Sequence, residues 1–166
     1  MQLSATMQAA MNDQLRKELN AYYLYLSMAA FFGHRNYNGY ASWMRAQATE
    51  EQTHAMKFFD FIEDRGGRVT LGALDEPRHE FASPLEAFEA ALEHEGMVSA
   101  SIIALYELAL KEKDYASQAM LQWFVTEQVE EEKTGTQIVE TLRMIGENAN
   151  GLYMFDKELG RRGAAD

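Results

Sequence analysis

With 166 residues, 47% of them hydrophobic, the chain can bury one full core, and it is short for two. It has no cysteine, which excludes disulfides, iron–sulfur clusters, thiolate zinc sites and cysteine nucleophiles. Its 26 acidic and 15 basic residues give a net charge of −11, which argues against nucleic acid or anionic lipid as partners and favours cations.

No basic stretch followed by an apolar one opens the sequence, and no apolar run approaches the ~18 residues of a membrane span. A soluble, cytoplasmic protein without membrane or nucleic-acid partners is the expectation. Helical periodicity dominates the rest. A first helix is predicted from about Ser4 to Phe32, stopped by Gly33, and a second from about Gly39 to Arg65, stopped by Gly66 and Gly67. Arg68 to Ala82 has no helical pattern. Ser83, Pro84 and Glu86 then read as an N-cap, a proline at N1 and an acid at N3, opening a third helix to about Glu112. Asp114 caps a fourth, which runs to about Ile145 and ends at Gly146. A short fifth covers about Leu152 to Leu159.

Each long helix would span roughly 40 Å. Short connections make the first two helices, and the third and fourth, antiparallel hairpins. The stretch between the pairs, about 16 residues, reaches about 50 Å when extended, enough to run the length of a bundle. The predicted fold is all-α: a four-helix bundle with one long crossover between helices 2 and 3 and a short fifth C-terminal helix. One domain over 1–166 is expected, with its bundle at about 4–146.

Helical wheels place acids where apolar residues belong. Glu18 falls in a stripe with Met11, Leu15, Leu19, Tyr22, Tyr25, Leu26 and Ala29; Glu51 falls between Met44, Ala48, Ala55 and Phe58. Glu95 shares a face with Phe88, Leu92, Ile102 and Tyr106. Glu131 shares one with Met120, Phe124, Ile138 and Leu142, flanked by Glu127 and Gln128. Measured from the helix ends, all four glutamates sit near mid-bundle. Glutamate is seldom fully buried without a partner, and an unpaired buried charge costs several kcal/mol. The core faces offer no lysine or arginine nearby, so a cation or extensive protonation is required. Glu51-Gln52-Thr53-His54 adds an E-x-x-H step. Oxygen-rich ligation with one imidazole suits iron or manganese better than zinc, and inward-facing glutamates with E-x-x-H mark di-iron and di-manganese bundles.

Together these residues resemble a bacterial non-haem ferritin subunit over essentially the whole chain. The resemblance is carried by Glu18 with Tyr25, Glu50-Glu51-Gln52-Thr53-His54, His94-Glu95, the run from Trp123 to Glu132, and GLYMFDKEL from Gly151 to Leu159. It implies a subunit of a 24-chain homo-oligomeric shell that oxidises Fe(II) with O2 or H2O2 and stores ferric mineral. It also implies roles. Glu18, Glu51 and His54 hold a first iron, and Glu51 bridges to a second bound by Glu95 and Glu131, with Gln128 close by. Glu50, Glu127, Glu130 and Glu131 match a third iron site. Tyr25 corresponds to a tyrosine near the di-iron centre. For Tyr25 and Trp123, aromatic packing and an electron-transfer role both stay open.

The match has limits. Bacterioferritins have a second E-x-x-H, where Glu127 and Glu130 stand here, and a haem-binding methionine at the position of Gln52, so haem is not expected. The acidic pore positions of animal-type ferritins are Gln118 and Leu121 here. The residues after Gly151 would, by resemblance, line the four-fold axis. Two other readings stand beside storage: a non-storing di-iron oxidase or peroxidase of the rubrerythrin-like class, and a non-enzymatic structural or metal-buffering bundle.

Overall fold

Local signals in the sequence account for most of the helix ends in the computed structural model, which describes residues 2–161. The helices are α1 (Ala5–His34), α2 (Asn38–Asp64), α3 (Pro84–Glu112), α4 (Tyr115–Ile145) and α5 (Ala149–Leu159), with no strand among the described residues. Residues 1 and 162–166 of the expected domain lie outside that range. Ser83 caps α3 by accepting from the Glu86 N–H, with Pro84 at the first position, and Asp114 caps α4 by accepting from Ser117. Two expected boundaries are corrected. Gly33 does not stop α1, which runs on to His34; Asn36, at φ 64°, makes the turn. The fifth helix begins at Ala149 rather than near Leu152, because the Asn148 side chain accepts from Gly151 N–H and caps it.

All four long helices carry buried positions spaced alternately by four and three residues, the pattern of a bundle seam. In α1 these are Met7, Met11, Gln14, Glu18, Ala21, Tyr25, Met28 and Phe32; in α2, Met44, Ala48, Glu51, Ala55, Phe58 and Ile62. The α1 stripe is therefore turned from the expected one, and Leu26 is 39% exposed. Going along each helix, the chain leaves one apolar cluster, crosses a polar layer and enters a second. The first cluster contains Met28, Phe32, Phe88, Val139 and Leu142, and the second Met11, Leu15, Phe58, Ile102 and Phe124. Glu18, Glu51, Glu95 and Glu131 occupy the layer between.

The crossover is fastened along α1 by side chains that bind its backbone. Asn12 accepts from Thr70 N–H at 2.7 Å and donates to Arg68 O at 3.0 Å, Asn20 accepts from Asp75 N–H, and Ser27 donates to Arg78 O. This chain of contacts climbs α1 to Phe31, on which the buried Phe81 packs. α2 and α3 consequently start at the same end of the bundle, as expected for the long crossover.

α5 is held on α2 by a cap supplied from far along the chain. Tyr37, before α2, has no side-chain cap; the buried Asp156 instead accepts from the Tyr40 N–H at 2.9 Å, and Tyr40 Oη donates to Leu152 O. The close approach requires Gly39, since a Cβ there would lie 1.6 Å from the Asp156 carbonyl oxygen. Asp156→Ala should therefore lower stability by about 1–2 kcal/mol, the usual worth of a helix cap, and raise amide exchange across 149–159. Unchanged melting and exchange would contradict this role.

Candidate metal centre

The polar layer gathers side chains from all four long helices. Ligand atoms of Glu18, Glu51 and His54 lie within 4.8 Å of one another, and so do those of His54, Glu127 and Glu131. His54 Nδ1 is 3.3 Å from Glu51 Oε2, which the E-x-x-H spacing along one helical turn brings about. Glu95 faces the same space from α3. Its Oε1 accepts from the Tyr25 hydroxyl, and its Oε2 accepts from Gln128 Nε2 at 3.2 Å. Gln128 also reaches Glu95 O and Ser99 Oγ.

Among the described residues, Glu50, Glu95 and Glu130 join neither three-ligand group. Glu50 is half-buried and its charge acts on Glu131, while Glu130 is exposed. Trp123, 39% exposed, sets its ring edge-on to His54 at 5.4 Å between centroids and carries Lys57 Nζ over its face at 4.3 Å. Two buried glutamines belong to the layer although the sequence reading passes over them. Gln14 donates to Glu18 Oε1 at 2.8 Å; Gln47 donates to Glu131 Oε2 at 2.8 Å and to Glu51 Oε1 at 3.4 Å. Their signal is a repeated Q-x-x-x-E, Gln14 before Glu18 and Gln47 before Glu51, which puts amide and carboxylate on one face.

Residues 8–145 match the model of the ferritin-like domain family. The chain belongs to the ferritin family. Over 160 residues it is 41% identical to a bacterial non-heme ferritin of Staphylococcus epidermidis, covering 96% of each chain, and 39% identical to that of Staphylococcus aureus over the same shares. Among solved structures, the open pore ferritin of the archaeon Archaeoglobus fulgidus superposes with a TM-score of 0.94 at 50% identity, over 95% of this chain and 98% of that one. A closed form engineered from the A. fulgidus protein also superposes at 0.94, with 51% identity over 95% of this chain and 96% of its own.

In this ferritin the acids repel one another, and the imidazole of His54 offsets only part of that repulsion at Glu18 and Glu131. Burial, then the charge of Glu51, pushes the Glu18 carboxyl up to about 8. Burial and then Glu95 push Glu131 up to about 7. Glu51 rises well above the carboxylate range from burial and from Glu95 and Glu131. None of the principal influences on these three is a lysine or arginine. Burial first, and Glu95 next, keep the Tyr25 hydroxyl protonated and so a donor. The set of oxygens with one imidazole fits divalent iron, whose charge replaces the protons that the acids otherwise hold.

A pH dependence follows. The unfolded chain releases these protons near the ordinary value of 4.5, whereas the folded metal-free protein keeps them to about 7 and 8. Stability from this source is complete below the ordinary value and is lost as pH rises through the folded values. The unfolding free energy of metal-free protein should therefore fall between about pH 5 and about pH 8.5, by up to about 1.4 kcal/mol per pH unit for each retained proton, and its melting temperature should fall with it. Bound divalent metal should remove or reverse the fall. A flat or rising metal-free profile would contradict the assignment.

Proposed function

We propose that this ferritin oxidises Fe(II) inside its own bundle and stores the Fe(III) product as mineral within a shell of identical subunits. The supporting observation is the buried layer of Glu18, Glu51, His54, Glu95 and Glu131, in which no lysine or arginine is among the principal influences on Glu18, Glu51 or Glu131. Iron is the substrate, passing through the layer. Glu18, Glu51 and His54 take the first ion, while Glu51, Glu95 and Glu131 take the second. Anionic oxygen ligands favour Fe(III) over Fe(II), which makes each ion a better reductant. Two Fe(II) supply one electron each; O2 accepting both with two protons leaves as H2O2, and H2O2 doing the same leaves as water. Tyr25 and Gln128 hold Glu95 by neutral hydrogen bonds, so its charge stays available to the metal. Product iron leaves past Glu50, Glu127 and Glu130, which with Glu131 make up a third site.

The shell reading rests on family membership and on the surface. Tyr23, Leu26, Leu71 and Leu74, on α1 and the crossover, are large apolar side chains 39–68% exposed, and Met144 at the end of α4 and Met154 on α5 are 80% and 66% exposed. Apolar surface of this kind fits subunit contacts. We read the assembly as a 24-mer with α5 at the four-fold axis, built from one ferritin-like domain per chain. No helix among the described residues is long and apolar enough to cross a membrane, and we place the protein in the cytoplasm. The position of Gln52 gives haem no methionine ligand.

Aerobic Fe(II) loaded in steps well beyond three ions per chain, followed by size exclusion with iron and protein detected together, tests this reading. Tens of irons per chain should co-elute with a large shell. Retention that stops at two or three would favour the rubrerythrin-like oxidase or peroxidase. In stopped flow, Glu51→Ala should slow the initial oxidation by about a hundredfold, equivalent to about 2.7 kcal/mol of barrier, while the exposed Glu140→Ala should not. Equal rates in the two variants would refute the site.

A further inference from the structure

We propose that Gln14, oriented by Ser101, is a positioning residue for Glu18, and that Gln47 serves Glu131 and Glu51 in the same way. The inference deepens the ferroxidase reading and rests on it. Gln14 sits in the buried seam of α1 at 2% exposure, where an amide is unfavourable unless its polar atoms are satisfied. Both are used. Nε2 donates to Glu18 Oε1 at 2.8 Å, and Oε1 lies 2.8 Å from Ser101 Oγ of α3, whose one hydroxyl hydrogen is shared between Gln14 Oε1 and Val98 O, also at 2.8 Å. The two contacts orient the amide. Reversed, it would set its oxygen against a carboxylate oxygen of Glu18.

One oxygen of Glu18 is thereby engaged, and the other, Oε2, is buried with no hydrogen-bond partner. A fixed carboxylate with one free oxygen is a preorganised ligand. The choice of an amide has a consequence. Lysine or arginine at position 14 would hold Glu18 equally well but would cancel the charge a metal ion needs; an amide positions without neutralising. Gln47 repeats the arrangement on α2, its two amide hydrogens divided between Glu131 and Glu51. Ser101 also borders a groove of about 480 Å³ between α1, α3 and the crossover.

The test is anaerobic titration of the assembled protein with Co(II), which does not turn over and whose d–d absorption reports ligand number and geometry. Wild type should bind the first equivalents tightly. Gln14→Leu should weaken the first equivalent by about tenfold or more, the usual range for a residue behind a ligand, and alter its spectrum while leaving the second equivalent intact. Gln47→Leu should weaken both. Ser101→Ala should follow Gln14→Leu to a lesser degree, and Ser101→Thr should restore binding. Melting temperatures should stay within a few degrees of wild type, which separates positioning from packing. An unchanged first equivalent in Gln14→Leu would overturn the proposal, as would Ser101→Thr behaving like Ser101→Ala. Wild-type protein that binds no Co(II) would refute the ferroxidase site itself, and this proposal with it.

Discussion

Several buried carboxylates share one space in this protein, and none of the principal influences on Glu18, Glu51 or Glu131 is a lysine or arginine. Glu18, Glu51 and Glu95 are at most 2% exposed, and Glu131 is 8% exposed. An ion pair would make such burial tolerable, and a lysine at any of the neighbouring seam positions could supply one. The chain instead surrounds the acids with glutamine amides, a tyrosine hydroxyl and one imidazole. These donors satisfy individual oxygens and leave the net charge in place. The layer is therefore unfavourable on its own and becomes favourable only with protons or with metal.

The remainder of the fold supports that layer. Apolar clusters on both sides bury side chains such as Phe32, Phe58, Phe88 and Phe124, each contributing up to about 3 kcal/mol on burial. A seam alternating by four and three residues passes through both clusters on all four helices, so the bundle keeps its register across the polar interruption. The crossover, fastened to α1 through Asn12, Asn20 and Ser27, fixes the relative direction of the two hairpins. That direction is what brings carboxylates from four different helices to one height. Asp156, capping α2 from α5, ties the last helix to the same frame.

The bundle and its central glutamates were legible because both depend on strong local rules. A charged residue inside an apolar stripe stands out, and four at matching heights reinforce one another. Gly33 misleads because a glycine after a long helix is the usual stop, yet Asn36 also tolerates a positive φ and takes that place. Leu26 is assigned to the core from its spacing with Leu19 and Tyr22; the true seam runs through Met7, Met11 and Gln14, and a polar residue in it obscures the pattern. Gln14 and Gln47 escape notice for a related reason. An uncharged polar residue on a helix face is common, and only the partner across the bundle shows its use. The trans cap by Asp156 joins residues more than a hundred positions apart, which no local rule reports. The close grouping of Glu127 with His54 likewise depends on how α4 lies against α2.

The central claim is that these carboxylates weaken the empty fold and exist for the metal. Thermal unfolding of Glu51→Gln against wild type, in chelator and again with excess Co(II), addresses it directly at neutral pH. The substitution keeps the shape and removes a carboxyl that the empty fold, unlike the unfolded chain, must keep protonated at neutral pH. The account predicts that the variant melts above wild type in chelator and gains much less from Co(II). A variant that melts below wild type in chelator would contradict it, because Glu51 would then be stabilising the fold without any metal.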